Sequence, residues 1–196
     1  MLTIRNLRPI VAALVATMAM LTLSACAPGN TVRLLYAPPD ASILPMPNAP
    51  RVAVVMFEDK RSTMQIGERR DGSSFVASAP VADWVARNLA DELTRQGLQV
   101  SYATTLDHAR TGNPDFIVTG IVNDVTLREV KTTDFTSQMS LGITLSGRKG
   151  RIFSETLSSS QSRQVIPAPD VAEKLLSDTL REVIQPAARK ISSAVQ

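Results

Sequence analysis

One cysteine in 196 residues leaves the chain unable to close a disulfide within itself. A single histidine, His108, rules out the ordinary zinc ligand sets, which draw on several Cys and His side chains. His108 sits in a charged connection, Asp107-His108-Ala109-Arg110, and reads as a solvated loop residue with no aligned nucleophile. Aromatics are scarce too: five Phe, two Tyr and one Trp. With no long basic run beside them, nothing supports nucleic-acid binding. Neither a glycine-rich phosphate loop nor a dinucleotide fingerprint is present, and no cofactor or metal is expected.

The N-terminus carries the most specific signal. Arg5 and Arg8 form a short basic start, and the apolar run 10–23 that follows is interrupted only by Thr17 and Thr22. Such a run is short for a membrane span and suits the hydrophobic region of a signal peptide. It closes on Leu23-Ser24-Ala25-Cys26. This quartet resembles a lipobox, the pattern at which bacterial lipoproteins are cut and acylated, and that resemblance implies lipid on Cys26. An ordinary signal peptide with a stray cysteine, or an N-terminal membrane anchor, is the plainer alternative. An unpaired thiol is a liability in an exported domain, whereas a thioether-linked one is not. Several acyl chains on one residue also give anchoring that one chain cannot. Ala27 follows the cysteine, and in the enterobacterial sorting rule a residue other than Asp there favours the outer membrane.

Removing residues 1–25 takes away two arginines, so 21 basic residues become 19 against 18 acidic ones, a net charge of +1. The basic balance of the whole chain therefore says little about partners. Residues 26–50 hold Pro28, Pro38, Pro39, Pro45, Pro47 and Pro50, which favour extended chain and read as a semi-rigid tether. Val32, Leu34, Leu35 and Tyr36 interrupt it, and a short strand docked on the domain or on a partner fits them.

Residues 51–196 then read as a single domain. The run 51–57 is apolar on both faces and suits a buried strand. Segment 58–78 reads as a long loop with a short strand at Phe75-Val76. A helix is expected over 80–96, with Val81, Trp84, Val85, Leu89 and Leu93 on one face and Gly97 as its stop. Residues 98–102 alternate as a strand, completing one βαβ crossover. Residues 104–113 read as an irregular or briefly helical connection. Segment 116–122 reads as a central strand, interrupted at Asn123-Asp124. Strand 135–146 alternates cleanly, with Phe135, Met139, Leu141, Ile143 and Leu145 on one face. Gly147 to Gly150 form a turn, and an exposed returning strand near 151–162 leaves edge pairing with a second copy open. The last helix starts at Pro169-Asp170, and Pro186 is expected to kink or divide it. The class is α+β: a mostly antiparallel sheet with two amphipathic helices packed on one face.

Carboxylates are the remaining enzymatic candidates. Glu58 and Asp59 follow a strand, and Asp71 lies across the same loop, where a glycosidase would want an acid pair. Charged residues after a strand are more commonly a solvated loop or an ion-pair cluster, so no catalytic residue is assigned. Asp59, Arg61, Arg69 and Arg70 are the candidate partner contacts, with an Asp59–Arg61 pair pinning the loop as the plainer reading. The loop that carries them is long for a compact domain, and its arginines suit anionic headgroups or an acidic protein surface.

Together, the lipobox, the proline-rich segment, a first strand leading into Asp59-Lys60-Arg61, then Ile66-Gly67, and a helix ending Leu93-Thr94-Arg95-Gln96-Gly97 resemble the YajG family of bacterial lipoproteins. The resemblance extends to strand 116–123 and the C-terminal helix. It implies a non-enzymatic binding or scaffold module of the cell envelope, anchored through Cys26; Ala27 adds the expectation that it faces the periplasm from the inner leaflet of the outer membrane. A more general resemblance is to ABC-type transport auxiliary lipoproteins, which share a lipidated start, an α/β domain of this size and a Trp near a helix start, as at Trp84. That one implies envelope transporter components as partners.

Overall fold

The computed structural model describes residues 30–36, 47–166 and 168–196. Cys26 and the expected signal peptide lie outside them. The described chain runs β1 (Thr31–Val32), β2 (Arg51–Val55), β3 (Glu58–Asp59), β4 (Gln65–Glu68), β5 (Ser74–Ala77), α1 (Val81–Arg95), β6 (Gln99–Ala103), α2 (Leu106–Thr111), β7 (Phe116–Lys131), β8 (Asp134–Gly147), β9 (Gly150–Gln164) and α3 (Val171–Val195).

Strand β7 is the spine of one nine-stranded sheet. Along one side it pairs antiparallel with β8, which in turn pairs antiparallel with β9. Along its other side it meets three short strands in succession, β2, β3 and β4, all parallel to it. Beyond β2 lies β6, and beyond β4 lie β5 and β1. The sheet is therefore mixed, not mostly antiparallel. The parallel pair β2–β6 is the expected βαβ crossover. The parallel pairings of β2, β3 and β4 with β7 were hidden, because alternation along a strand reports which face is buried but not the direction of its neighbour. The interruption expected at Asn123-Asp124 is a bulge inside the continuous β7, where the register to β8 shifts between Val122 and Asp124.

Helices cover both faces. The stripe Val81, Trp84, Val85, Leu89 and Leu93 of α1 packs with Leu175, Leu180, Ile184 and Ile191 of α3 over Val52, Val54, Val118, Met139 and Leu141. The intervening residues Ala53 and Val55 face the other way and meet Ala109 of α2, with Ala103 and Ile117. This third helix follows from winding direction. The path from β2 to β6 moves outward, whereas β6 to β7 steps back across β2. Crossovers of one hand put their helices on opposite faces when the direction reverses. A second crossover thus accounts for the strand that is apolar on both sides. Pro186 does not divide α3, which runs unbroken from Val171 to Val195.

Two glycines permit close approaches. Gly120 leaves the space in which the Phe57 ring lies; a Cβ there would fall 2.4 Å from two of its ring carbons. Gly67 has φ +148° and sits at a bulge in β4, where a Cβ would fall 1.7 Å from the Leu127 carbonyl oxygen.

Candidate functional site

The candidate contacts lie between β3 and β5. After β3 the Lys60 amide still donates to the Val122 carbonyl at 3.0 Å, and then the chain leaves the sheet. Arg61 folds back on Asp59, its Nε donating to Oδ1 at 2.9 Å and its Nη2 to Oδ2 at 2.7 Å, while its amide also donates to Oδ1. The Arg61 side chain is only 5% exposed. Its hydrogen bond holds the Asp59 carboxyl below the usual aspartate range. Arg61 therefore pins the loop rather than projecting from it. It still forms part of the wall of an open polar groove of about 430 Å³, with Thr63, Gln65, Glu68, Thr126 and Arg128.

The two remaining arginines part company at the β4–β5 turn. Here the Arg69 amide donates to the Ser73 carbonyl at 2.8 Å, and Asp71 accepts from the Ser73 amide and hydroxyl at 2.9 and 2.6 Å. These bonds to Ser73 hold the Asp71 carboxyl below its ordinary value. Arg69 lies over the Phe75 ring at 4.9 Å and 3.9 Å from Glu129 of β7, so it braces the turn against the spine. Arg70 is exposed. Glu58, exposed, stands 3.5 Å from Lys60. His108 is exposed on α2, its amide donating to Thr105 Oγ1 at the helix start.

Sequence reasoning missed the clamp that seats the N-terminal segment. Strand β1 pairs parallel with β5: the Val76 amide donates to the Asn30 carbonyl and the Ser78 amide to the Val32 carbonyl, each at 2.9 Å. Val32 is buried in the core, with Leu34 and Tyr36 packed against it. Arg33 then grips Glu173 in the first turn of α3, its Nε donating at 2.8 Å and Nη2 at 2.9 Å to the two carboxylate oxygens. The Tyr36 hydroxyl donates to buried Glu92 at 3.1 Å, and burial together with that carboxylate pushes its pKa above the usual tyrosine value. Residues 30–36 thus belong to the folded domain. The docked strand expected from Val32, Leu34, Leu35 and Tyr36 is present on the domain; the ion pair that fixes it was not legible, because the partner of Arg33 lies 140 residues away.

Arg33 lowers the Glu173 pKa from its ordinary 4.5. A depressed carboxylate stabilises the docked state above its unfolded pKa and loses that contribution as pH falls through the folded value. Acidification below the ordinary glutamate range is therefore expected to reduce hydrogen-exchange protection at the Val76 and Ser78 amides. Arg33→Ala is expected to do so already at neutral pH. Unchanged protection in both cases would show that the clamp does not hold β1.

At the far end of the sheet, Asp115 accepts from the Arg51 amide at 3.1 Å and from Arg148 at 2.8 Å. Beside it a groove of about 600 Å³ has Pro50, Phe116 and Ile152 in its wall. On the outer face, Gly142 opens a hollow of about 480 Å³ bordered by Ile121, Asn123, Thr144, Ser154 and Thr156. Among the described residues, no three His, Cys, Asp or Glu side chains are grouped to hold a metal ion, and no helix is long and apolar enough to cross a membrane.

The chain matches no family model and no curated protein. Solved structures do resemble it. Protein XCC0632 from Xanthomonas campestris, described as DUF330, superposes with a TM-score of 0.59 at 11% identity, covering 84% of this chain and 95% of that one. The PelC dodecamer from Paraburkholderia phytofirmans gives 0.47 at 13% identity, covering 78% and 92%. Lipoprotein GNA1162 from Neisseria meningitidis gives 0.41 at 13% identity, covering 74% and 99%. At such identities it is the fold of XCC0632 that this chain shares, an α+β sheet with helices, and no more.

Proposed function

We propose that the chain is a lipid-anchored lipoprotein of the bacterial cell envelope whose domain works by binding, without catalysis. The observation that carries the reading is Leu23-Ser24-Ala25-Cys26 at the end of an apolar run, just ahead of the residues that enter the sheet. Lipid on Cys26 anchors the domain, and Ala27 favours the inner leaflet of the outer membrane, facing the periplasm. The state of the carboxylates supports binding over hydrolysis. Asp59 is committed to Arg61 and Asp71 to Ser73, and both pKa values are depressed, which suits neither to donate a proton near neutrality. Asp59 and Arg61 serve to shape the loop, leaving Arg70 as its outward arginine. The YajG type of envelope scaffold remains the family we favour.

Strand β9 suggests one kind of partner, a second copy. Its outer edge pairs with no strand among the described residues, and the stretch 156–162 carries neither charge nor proline. Antiparallel pairing about Ser159 sets Glu155 of one copy opposite Arg163 of the other. The transport-accessory reading draws instead on the groove of Pro50, Phe116 and Ile152, whose apolar wall suits an apolar solute.

Palmitate labelling in the producing cell, followed by mild in-cell crosslinking and capture, tests these readings. The wild-type chain is expected to take up label, and Cys26→Ser to lose both label and membrane retention. A wild-type chain without label sinks the lipoprotein. Crosslinks to a second copy that vanish in Ser159→Pro support self-association, whereas enrichment of permease components replaces it with transport.

A further inference from the structure

We propose that one end of the sheet rests on the bilayer surface, with Val130 and Ile166 in the lipid interface and Arg70 among anionic headgroups. The inference rests on lipidation of Cys26 and adds the orientation of the domain and the residues that touch lipid.

Chain length sets the geometry. The Asn30 carbonyl is already bonded to Val76 in the sheet, and only four peptide steps separate Asn30 from Cys26. At about 3.6 Å per residue, the anchored residue lies within about 14 Å of Asn30. The domain is therefore held close to the membrane by its β1 end and cannot drift to the limit of a 25-residue spacer.

Sheet topology then says what shares that end. Because β1 runs parallel to β5, the start of β1 lies beside the turn 69–73 that leads into β5. Strand β4 ends at the same turn and runs parallel to β7, so the β7–β8 connection follows, with Arg128 beside Glu68 and Arg69 near Glu129. Strand β9 finishes there as well: Gln164 pairs with Asp134, and the Val165 amide donates to the Thr133 carbonyl at 2.8 Å. The next residue, Ile166, is 88% exposed, and Val130 across the connection is 55% exposed. Two large apolar side chains thus stand at the end nearest the anchor, Val130 in the last residues of β7 and Ile166 just past β9. Arg70 is exposed on the adjoining turn and has no carboxylate partner among the described residues, while Lys131 shares the hairpin with Asp134 at 3.4 Å. Apolar tips flanked by a free cation match the composition of a bilayer interface, where apolar groups insert and basic ones meet anionic lipid. The opposite turn, 147–150, is removed from this end by the length of the 14-residue β8, about 45 Å.

The test uses the full lipidated protein in vesicles of phosphatidylethanolamine and phosphatidylglycerol. Once lipidated, Cys26 has no free thiol, so Val130→Cys, Ile166→Cys and Lys149→Cys each give a single site for an environment-sensitive fluorophore. With bilayer-resident quenchers, labels at 130 and 166 are expected to shift blue and be quenched, and the label at 149 to do neither. Arg70→Glu is expected to reduce quenching at 166 when phosphatidylglycerol is present, and unchanged quenching removes the headgroup part of the proposal. If the protein floats with the vesicles but all three labels behave alike, the orientation is wrong while the lipid anchor stands. If the unlabelled protein fails to float, the anchor itself is refuted and the orientation falls with it.

Discussion

Gly67→Ala is expected to abolish the folded domain or to cost more than about 4 kcal/mol, among the largest effects a single methyl can have. Two separate costs combine. The backbone at φ +148° lies where L side chains rarely go, and the added Cβ would fall 1.7 Å from the Leu127 carbonyl oxygen. That oxygen belongs to the spine strand, which β8 holds on its other side along its whole length, so it has little room to retreat. Gly150→Ala serves as the comparison. Its φ of +119° is strained too, but nothing lies within 4 Å of the new Cβ. Strain alone is expected to cost about 1–3 kcal/mol there. Chemical denaturation followed by circular dichroism measures both. If the two variants lose equal stability, the collision at Gly67 contributes nothing and the bulge is more forgiving than its geometry implies.

The second large effect is a coupling. Phe57→Ala removes a ring that is 2% exposed in the main core, and the expected loss is about 3–5 kcal/mol. Gly120→Ala pushes a methyl into that same ring and is expected to cost about 1–3 kcal/mol through overpacking. The double variant should cost less than the sum, because the methyl then occupies part of the space the ring vacates. Additive losses would mean that the two residues do not share a site. A coupling of about 1 kcal/mol or more identifies the glycine as a seat for the ring.

Both glycines show where the sequence was legible and where it was not. Ile66-Gly67 stood out as a short motif, yet nothing local said that the glycine faces a carbonyl 60 positions along the chain. Strands β3 and β4 were absorbed into an expected loop because two- and four-residue strands, one of them bulged, give no alternation to detect. Elements with many buried residues of one period were plain: the stripe of α1, the alternation of β8, the doubly apolar β2. Helix α2 was not, since Ala109 is its only buried residue. In the candidate site, Asp59 and Arg61 are two residues apart, so their pairing was open to inspection. Arg69 against Phe75 and Glu129 depends on strand order, and Arg33 on Glu173 depends on the whole topology.

That last pair bears on the order in which the chain acquires its structure. Arg33 is among the first residues of the domain to be synthesised, and Glu173 lies in its last helix. A contact spanning 140 residues carries a large loop-closure cost and forms only after the intervening elements have reduced it. Pairing with β5 is possible earlier, but the seat of β1 stays incomplete until α3 is in place. The segment closest to the expected anchor is therefore the first made and the last secured, and a chain truncated before α3 should leave its N-terminal strand only half held.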